Sequence, residues 1–178
     1  MRSFLTVMLL LLLASCAIIG KQKKGEDWLP EAAGLPCCWQ IEENLQLNRG
    51  NQDPMYLHAV VVMDGDKLSI VLMTGLANRL LTLLQQGTEI TRLEGVEKMP
   101  DFPVKLFLMG IYLKHLPEAY WENNELDWQY QQLNNRKTLS RSGETWLSMT
   151  EINNRQSEIF YPGSGIQVVV TELSRKSF

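Results

Sequence analysis

Apolar and polar residues alternate along much of the chain. From Cys37 to Asn48 the odd positions Cys37, Trp39, Ile41, Leu45 and Leu47 are apolar, Glu43 is the exception, and Gln40, Glu42, Asn44, Gln46 and Asn48 fill the even ones. Period two sustained this long predicts an antiparallel strand with one wet face. Met55 to Met63 follows, then Asp64-Gly65-Asp66, then Lys67 to Thr74, in which Leu68, Ile70 and Leu72 keep the same period. Asp-Gly between two such runs predicts a hairpin. Leu80 to Gln85 and Thr88 to Leu93 flank Gln86-Gly87 in the same manner. The first half therefore reads as a meander of strands.

The period changes between residues 100 and 124. Asp101 can cap a helix and Pro103 fits its first turn. Val104 to Leu113 reads VKLFLMGIYL, where only Lys105 and Gly110 are not apolar. A helix that is apolar nearly all round has to be covered on more than one side. Pro117 opens a second short helix, EAYWEN. Strands resume with Leu126, Trp128 and Tyr130, continue through Thr145 to Ile152 and Ser157 to Tyr161, and turn at Pro162-Gly163-Ser164-Gly165 into Ile166 to Leu173. No internal repeat is visible.

The N-terminus follows different rules. Met1 and Arg2 give a positive start, and Phe4 to Ala14 is an unbroken run, FLTVMLLLLLA, with one threonine. It is too short to span a bilayer, which takes about 20 residues, and has the size of a signal-peptide core; the alternative is an uncleaved anchor, because Ala17, Ile18 and Ile19 extend the apolar stretch up to Lys21. Leu13-Ala14-Ser15-Cys16 follows directly and resembles the bacterial lipobox. That resemblance implies removal of residues 1–15, acylation of Cys16 with diacylglycerol and palmitate-type chains, and firm membrane attachment, because several acyl chains hold where one binds reversibly. Ala17 after the cysteine is not the aspartate that marks inner-membrane retention, which implies the periplasmic face of an outer membrane. Ala17 to Pro36 keeps no period and carries Lys21, Lys23, Lys24, Glu26 and Asp27, so residues 16–36 read as a lipidated N-terminus and tether. Residues 37–174 form a single domain.

Composition narrows the chemistry. Lys plus Arg is 17 against 20 for Asp plus Glu, a formal charge of −3, which leaves no basic excess for nucleic acid. Two histidines, His58 in a strand and His115 after a helix, do not make an ordinary metal site, and both read as packing or surface residues. Asp64 and Asp66 lack the other ligands of a calcium loop. Gly163-Ser164-Gly165 lacks the spacing of a nucleophile elbow. Cys37 and Cys38 read as two small thiols; the alternatives are a vicinal disulfide or an intermolecular bridge. Glu43, a carboxylate on an apolar face, either meets Arg79 or lies at the rim of the sheet. No cofactor, metal or catalytic residue is indicated.

Taken together, the lipobox, the strand WQIEENLQL, the hairpin MDGDKLSIVLMTGLANRLLTL, the apolar helix after Asp101 and the ending EIFYPGSGIQVVVTEL resemble the LolA/LolB superfamily, and in particular a LolB-related lipoprotein family built on a domain of unknown function. The resemblance implies an α+β fold, an antiparallel, incompletely closed β-barrel with short helices covering its concave face. It also implies a non-catalytic role: binding or transfer of a lipid, acyl or polyene-lipid cargo in an apolar cavity, with a periplasmic lipid carrier as a possible partner. Members of that family are encoded near aryl polyene or fatty-acid-synthase-like gene clusters. The apolar sets Trp39, Ile41, Leu45, Leu68, Ile70 and Leu72, with Phe107 and Ile111 of the helix, are the expected cavity lining. Thr74-Gly75-Leu76-Ala77-Asn78-Arg79 resembles the Pro-Leu-Gly loop of LolB, which makes Leu76 either a membrane-contact tip or a cap folded over the barrel mouth. The alternative function is a scaffolding lipoprotein with a packed core that binds a protein partner; an esterase or thioesterase has less in its favour.

The lipobox carries a direct test. Cys16→Ala is expected to accumulate as an unprocessed precursor, and mass spectrometry of the mature wild-type N-terminus is expected to show an acylated cysteine; an unmodified one refutes both the anchor and the location.

Overall fold

The computed structural model describes residues 28–95, 103–123 and 126–178. Cys16, the signal segment, the lysines before Trp28 and the Asp101 cap lie outside the described residues. Ten strands form one antiparallel sheet: β1 (Trp39–Arg49), β2 (Met55–Asp64), β3 (Lys67–Thr74), β4 (Arg79–Gln86), β5 (Glu89–Glu94), β6 (Trp128–Leu133), β7 (Arg136–Arg141), β8 (Glu144–Asn153), β9 (Gln156–Tyr161) and β10 (Ile166–Ser177). Helices α1 (Val104–His115) and α2 (Glu118–Glu122) come between β5 and β6.

The strand order is β5-β4-β3-β2-β1-β10-β9-β8-β7-β6. The chain thus starts in the middle, meanders out to one edge, passes through the helices to the opposite edge and meanders back until β10 lies against β1. The sheet is not closed. The two edge strands, β5 and β6, are largely exposed and rich in charged or amide side chains, which discourages pairing with another chain.

Turn chemistry fixes the register. Gly65, with φ 61°, turns β2 into β3 so that Asp64 pairs with Lys67. Ser142 and Gly143, both at positive φ, turn β7 into β8. β7 has no counterpart in the sequence reading because its six residues, RKTLSR, bury only Leu139. β10 runs four residues beyond Leu173, the end expected for it. β1 starts at Trp39 rather than Cys37.

Trp28 to Pro36, expected as part of the tether, instead packs on the domain. Leu29, Ala32 and Leu35 are buried, and Ala32–Gly34 forms one 3-10 turn. The segment has no amphipathic period because side chains of the sheet hold its backbone. The indole Nε1 of Trp128 donates to the Trp28 carbonyl at 2.7 Å, that of Trp39 donates to the Pro36 carbonyl at 2.8 Å, and the Gln85 amide donates to the Pro30 carbonyl at 2.8 Å. Trp28 also joins Trp128 and Trp146 in an aromatic cluster with ring centroids 5.3 to 6.1 Å apart. The start of the segment therefore rests on the β6–β8 side, its middle on β4 and the Gly87 turn, and its end on β1, so it works as a strap between the two halves of the open sheet.

Gln85 is the hub of this arrangement. It is 2% exposed, donates to both Pro30 and Gly87, and accepts from the Tyr112 hydroxyl of α1 at 2.8 Å. Strap, turn and helix therefore share one amide whose donors are both used. Gln85→Leu keeps the volume but leaves the Pro30 carbonyl and the Tyr112 hydroxyl without this partner, and is expected to lower stability by about 2–4 kcal/mol in urea denaturation. A change below about 0.5 kcal/mol would show that the hub is dispensable.

Candidate functional site

The concave face of the sheet is built from the apolar sets of the strands. Trp39, Ile41 and Leu45 of β1, and Leu68, Ile70 and Leu72 of β3, are all buried and belong to one hydrophobic core with Phe107 and Ile111 of α1. The structure thus brings together all eight residues expected to line a cavity. Between α1 and strands β9 and β10 lies a gap of about 10 Å³, lined by Phe107, Gly110, Ile111, Tyr161 and neighbours. Such a gap has room for about one water and none for an acyl chain.

Helix α1 is enclosed by the sheet on several sides. Residues Phe107 to Leu113 are all buried. Tyr112 reaches β4, His115 packs on Trp39 of β1 with ring centroids 4.9 Å apart, and Gly110 faces β9. A Cβ at Gly110 would lie 2.5 Å from the Tyr161 hydroxyl and 3.1 Å from Ile159 Cδ1, so glycine is what lets helix and strand approach this closely. The Tyr161 hydroxyl is buried beside it with no hydrogen-bond partner, and burial pushes its pKa up.

A charged cluster fastens the C-terminal end of α1. Lys114 donates to the buried Glu43 and lies 3.9 Å from Glu172, which stands opposite Glu43 in the β1–β10 ladder. Arg175 binds Glu172 with two nitrogens, at 3.1 and 2.7 Å, and holds the Glu172 pKa below its ordinary 4.5. Glu43 therefore meets neither Arg79 nor open solvent. Its partner is the lysine in the last turn of α1, where a cation also suits the helix dipole. Removing one member of such a pair would leave a buried charge without compensation.

At the start of β1, Cys37 and Cys38 are joined as a vicinal disulfide across a cis peptide bond, in place of the two separate thiols expected. The Gly65 N–H of the β2–β3 turn donates to Cys37 Sγ at 3.2 Å.

Leu76 sits in the β3–β4 loop and is 85% exposed, so it does not cap the barrel mouth. The loop is ordered from within: the Thr74 hydroxyl accepts from the backbone N–H groups of Leu76 and Asn78, Ala77 N–H donates to the Thr74 carbonyl, and Ala77 takes φ 62°. The leucine is presented outward on a hydrogen-bonded turn.

His115 makes the packing of α1 sensitive to pH. Burial, with the nearby charges of Lys114, Arg175 and Lys137, lowers its pKa well below 6.5. Its stabilising contribution is fully present above 6.5 and is lost as the pH falls, because the unfolded chain then takes up a proton that the folded chain refuses. Stability is therefore expected to fall as the pH drops below 6.5. Glu172 adds a loss in the same direction only below its ordinary 4.5. Urea titrations of wild type and His115→Phe should therefore diverge in the window between those values; parallel curves would remove His115 as the cause.

No curated protein sequence matches the chain. Among solved structures it is similar to a LolA superfamily protein from Nitrosomonas europaea, with 8% identity, a TM-score of 0.47, and coverage of 83% of this chain and 90% of that one. It is also similar to a DUF1329 family protein from Desulfovibrio piger, with 10% identity, a TM-score of 0.40, and coverage of 79% and 85%. The DUF3261 family, described as protein of unknown function, matches residues 40–174, a span that starts one residue into β1, takes in both helices and ends within β10. The chain belongs to the DUF3261 family.

Proposed function

We propose that the chain is a carrier or acceptor of an acyl or polyene-lipid cargo, held at the periplasmic face of the outer membrane through Cys16, and that it binds its cargo without catalysis. The observation that carries this reading is the surrounding of α1. A helix lying on a sheet in an ordinary two-layer protein keeps a polar outer face. Here seven successive residues of α1 are buried in a concave, largely apolar trough. The helix thus fills a hydrocarbon-like space, and a linear acyl chain matches that space in chemistry. Entry requires α1 to shift, and its polar holds include Tyr112 on Gln85, Lys114 on Glu43 and Glu172, and Lys105 over the Trp28 ring. Leu76, outward on a hydrogen-bonded loop, suits contact with the bilayer from which cargo comes or to which it goes.

A second reading has its own support. The gap beside α1 is too small for cargo as it stands, which favours a scaffolding lipoprotein with a permanently packed core. Lipid extraction and mass spectrometry of the purified chain separate the two. Co-purified lipid, with slower delivery to liposomes by Leu76→Glu at unchanged melting temperature, is the outcome expected of a carrier. Lipid-free protein that takes up no fatty acid, even when Lys114→Met loosens α1, would favour the scaffold.

A further inference from the structure

The opposite face of the sheet holds a groove that the cargo reading does not use. It encloses about 550 Å³, within the range of small-ligand sites. Its floor is set by register: Gln156 of β9 pairs with Thr171 of β10, Thr171 with Asn44 of β1, and Asn44 with His58 of β2, so four polar side chains stand in a row across four strands. The next row brings Gln46 beside Tyr56. The β3–β4 loop forms one wall through Thr74, Gly75 and Ala77.

Three properties of this lining define what it can hold. Between apolar stretches from Leu45, Leu57 and Val169 the lining carries amides, hydroxyls and one imidazole, and no carboxylate, lysine or arginine, so an ionic headgroup or free phosphate finds no counter-charge. Amides and hydroxyls both donate and accept, which matches a ligand whose own groups do both. Several are already oriented: the Asn44 carbonyl oxygen lies 3.2 Å from His58 Nδ1, and Gln46 donates to Asn48, which donates to Gln167. Finally, Tyr56, 64% exposed, gives the rim an aromatic face. Sugar hydroxyls need such two-way partners, and the C–H face of a pyranose packs on an aromatic ring. A peptide added as a strand is disfavoured, because the groove crosses the middle of the sheet, where the backbone groups of β1, β2 and β10 already pair with one another.

We infer that this outer groove binds a neutral glycan, with Asn44, His58, Gln156 and Thr171 meeting the hydroxyls and Tyr56 stacking on a ring. The sugar can come from a glycan strand or from the headgroup of a glycolipid, and the two sources are separable.

Amide chemical shifts of the full chain would be followed in a phosphocholine detergent, because a maltoside headgroup would itself compete. The two probes are soluble maltose and N,N′-diacetylchitobiose in one arm, and phosphatidylcholine bicelles with and without a diglucosyl diacylglycerol in the other. Saturable shifts at Asn44, Tyr56 and Thr171 are expected. With the soluble sugars they assign a glycan strand; confined to the glycolipid bicelles they assign a headgroup. Tyr56→Ala should weaken binding about tenfold and Asn44→Leu should abolish it. Both positions are exposed, so both variants should keep the wild-type melting temperature. Absence of saturable shifts in both arms, or wild-type binding by Asn44→Leu, overturns the inference. An unstructured peptide of matched size that binds the same amides in place of sugar would overturn it as well.

Discussion

The enclosure of one apolar helix is the constraint on which the rest of this structure depends. Ten antiparallel strands that curl without closing leave a concave apolar face and two unpaired edges. Water in that trough would remove the driving force for the curl, since apolar burial is the main favourable term available. Helix α1 fills it, and the demands on α1 follow from there. It must be apolar on every side, it must carry a glycine where Tyr161 crowds it, and its polar end must be fastened from within. Lys114, Glu43 and Glu172 do the fastening at the β1–β10 seam, where the two halves of the chain meet. An ion pair at that place sets the helix's position along the trough more than it adds net stability.

The strap from Trp28 to Pro36 solves the second half of the same problem. A sheet with free edges can spread, and spreading would uncover α1. The strap ties the β6–β8 side, through the three-tryptophan cluster, to Gln85 and Gly87 on the other side. It does so chiefly by accepting hydrogen bonds at its carbonyls, so the sequence of the strap itself has little to show for it. Gln85 then couples strap to helix, and neither can move far without the other losing a buried partner.

This division explains which parts of the structure were legible in the sequence. β1, the β2–β3 hairpin and α1 each bury a face through their own side chains, so period two and the unbroken apolar run disclosed them. β7 contributes one buried leucine and is held by its neighbours' backbones; only Asn134-Asn135 and Ser142-Gly143, read as turns, could have announced it. The strap lacks a period and so reads as tether, although Trp28, Leu29 and Leu35 beside Pro30 and Pro36 hint at a packed irregular segment. Glu43 was visible as an anomaly, but its partner is 71 residues away and sits on a helix whose docking angle no local pattern specifies. The difference between a filled trough and an open one is a matter of a few side-chain volumes, below what alternation can resolve.

The two faces of β1 then differ in what they ask of a ligand. Inward, Trp39, Ile41, Leu45 and Leu47 offer only surface to be covered, and the chain's own helix already covers it. A guest there competes with an intramolecular partner, so its affinity is reduced by whatever it costs to displace α1 from Gln85 and the Lys114 cluster. Outward, Asn44, Gln46 and Asn48 stand on a ladder that the inner core keeps rigid, with nothing of the described chain to displace. A ligand on this side meets a site formed before it arrives. One strand can thus carry a helix-covered apolar surface and an open polar one, because alternation places them back to back.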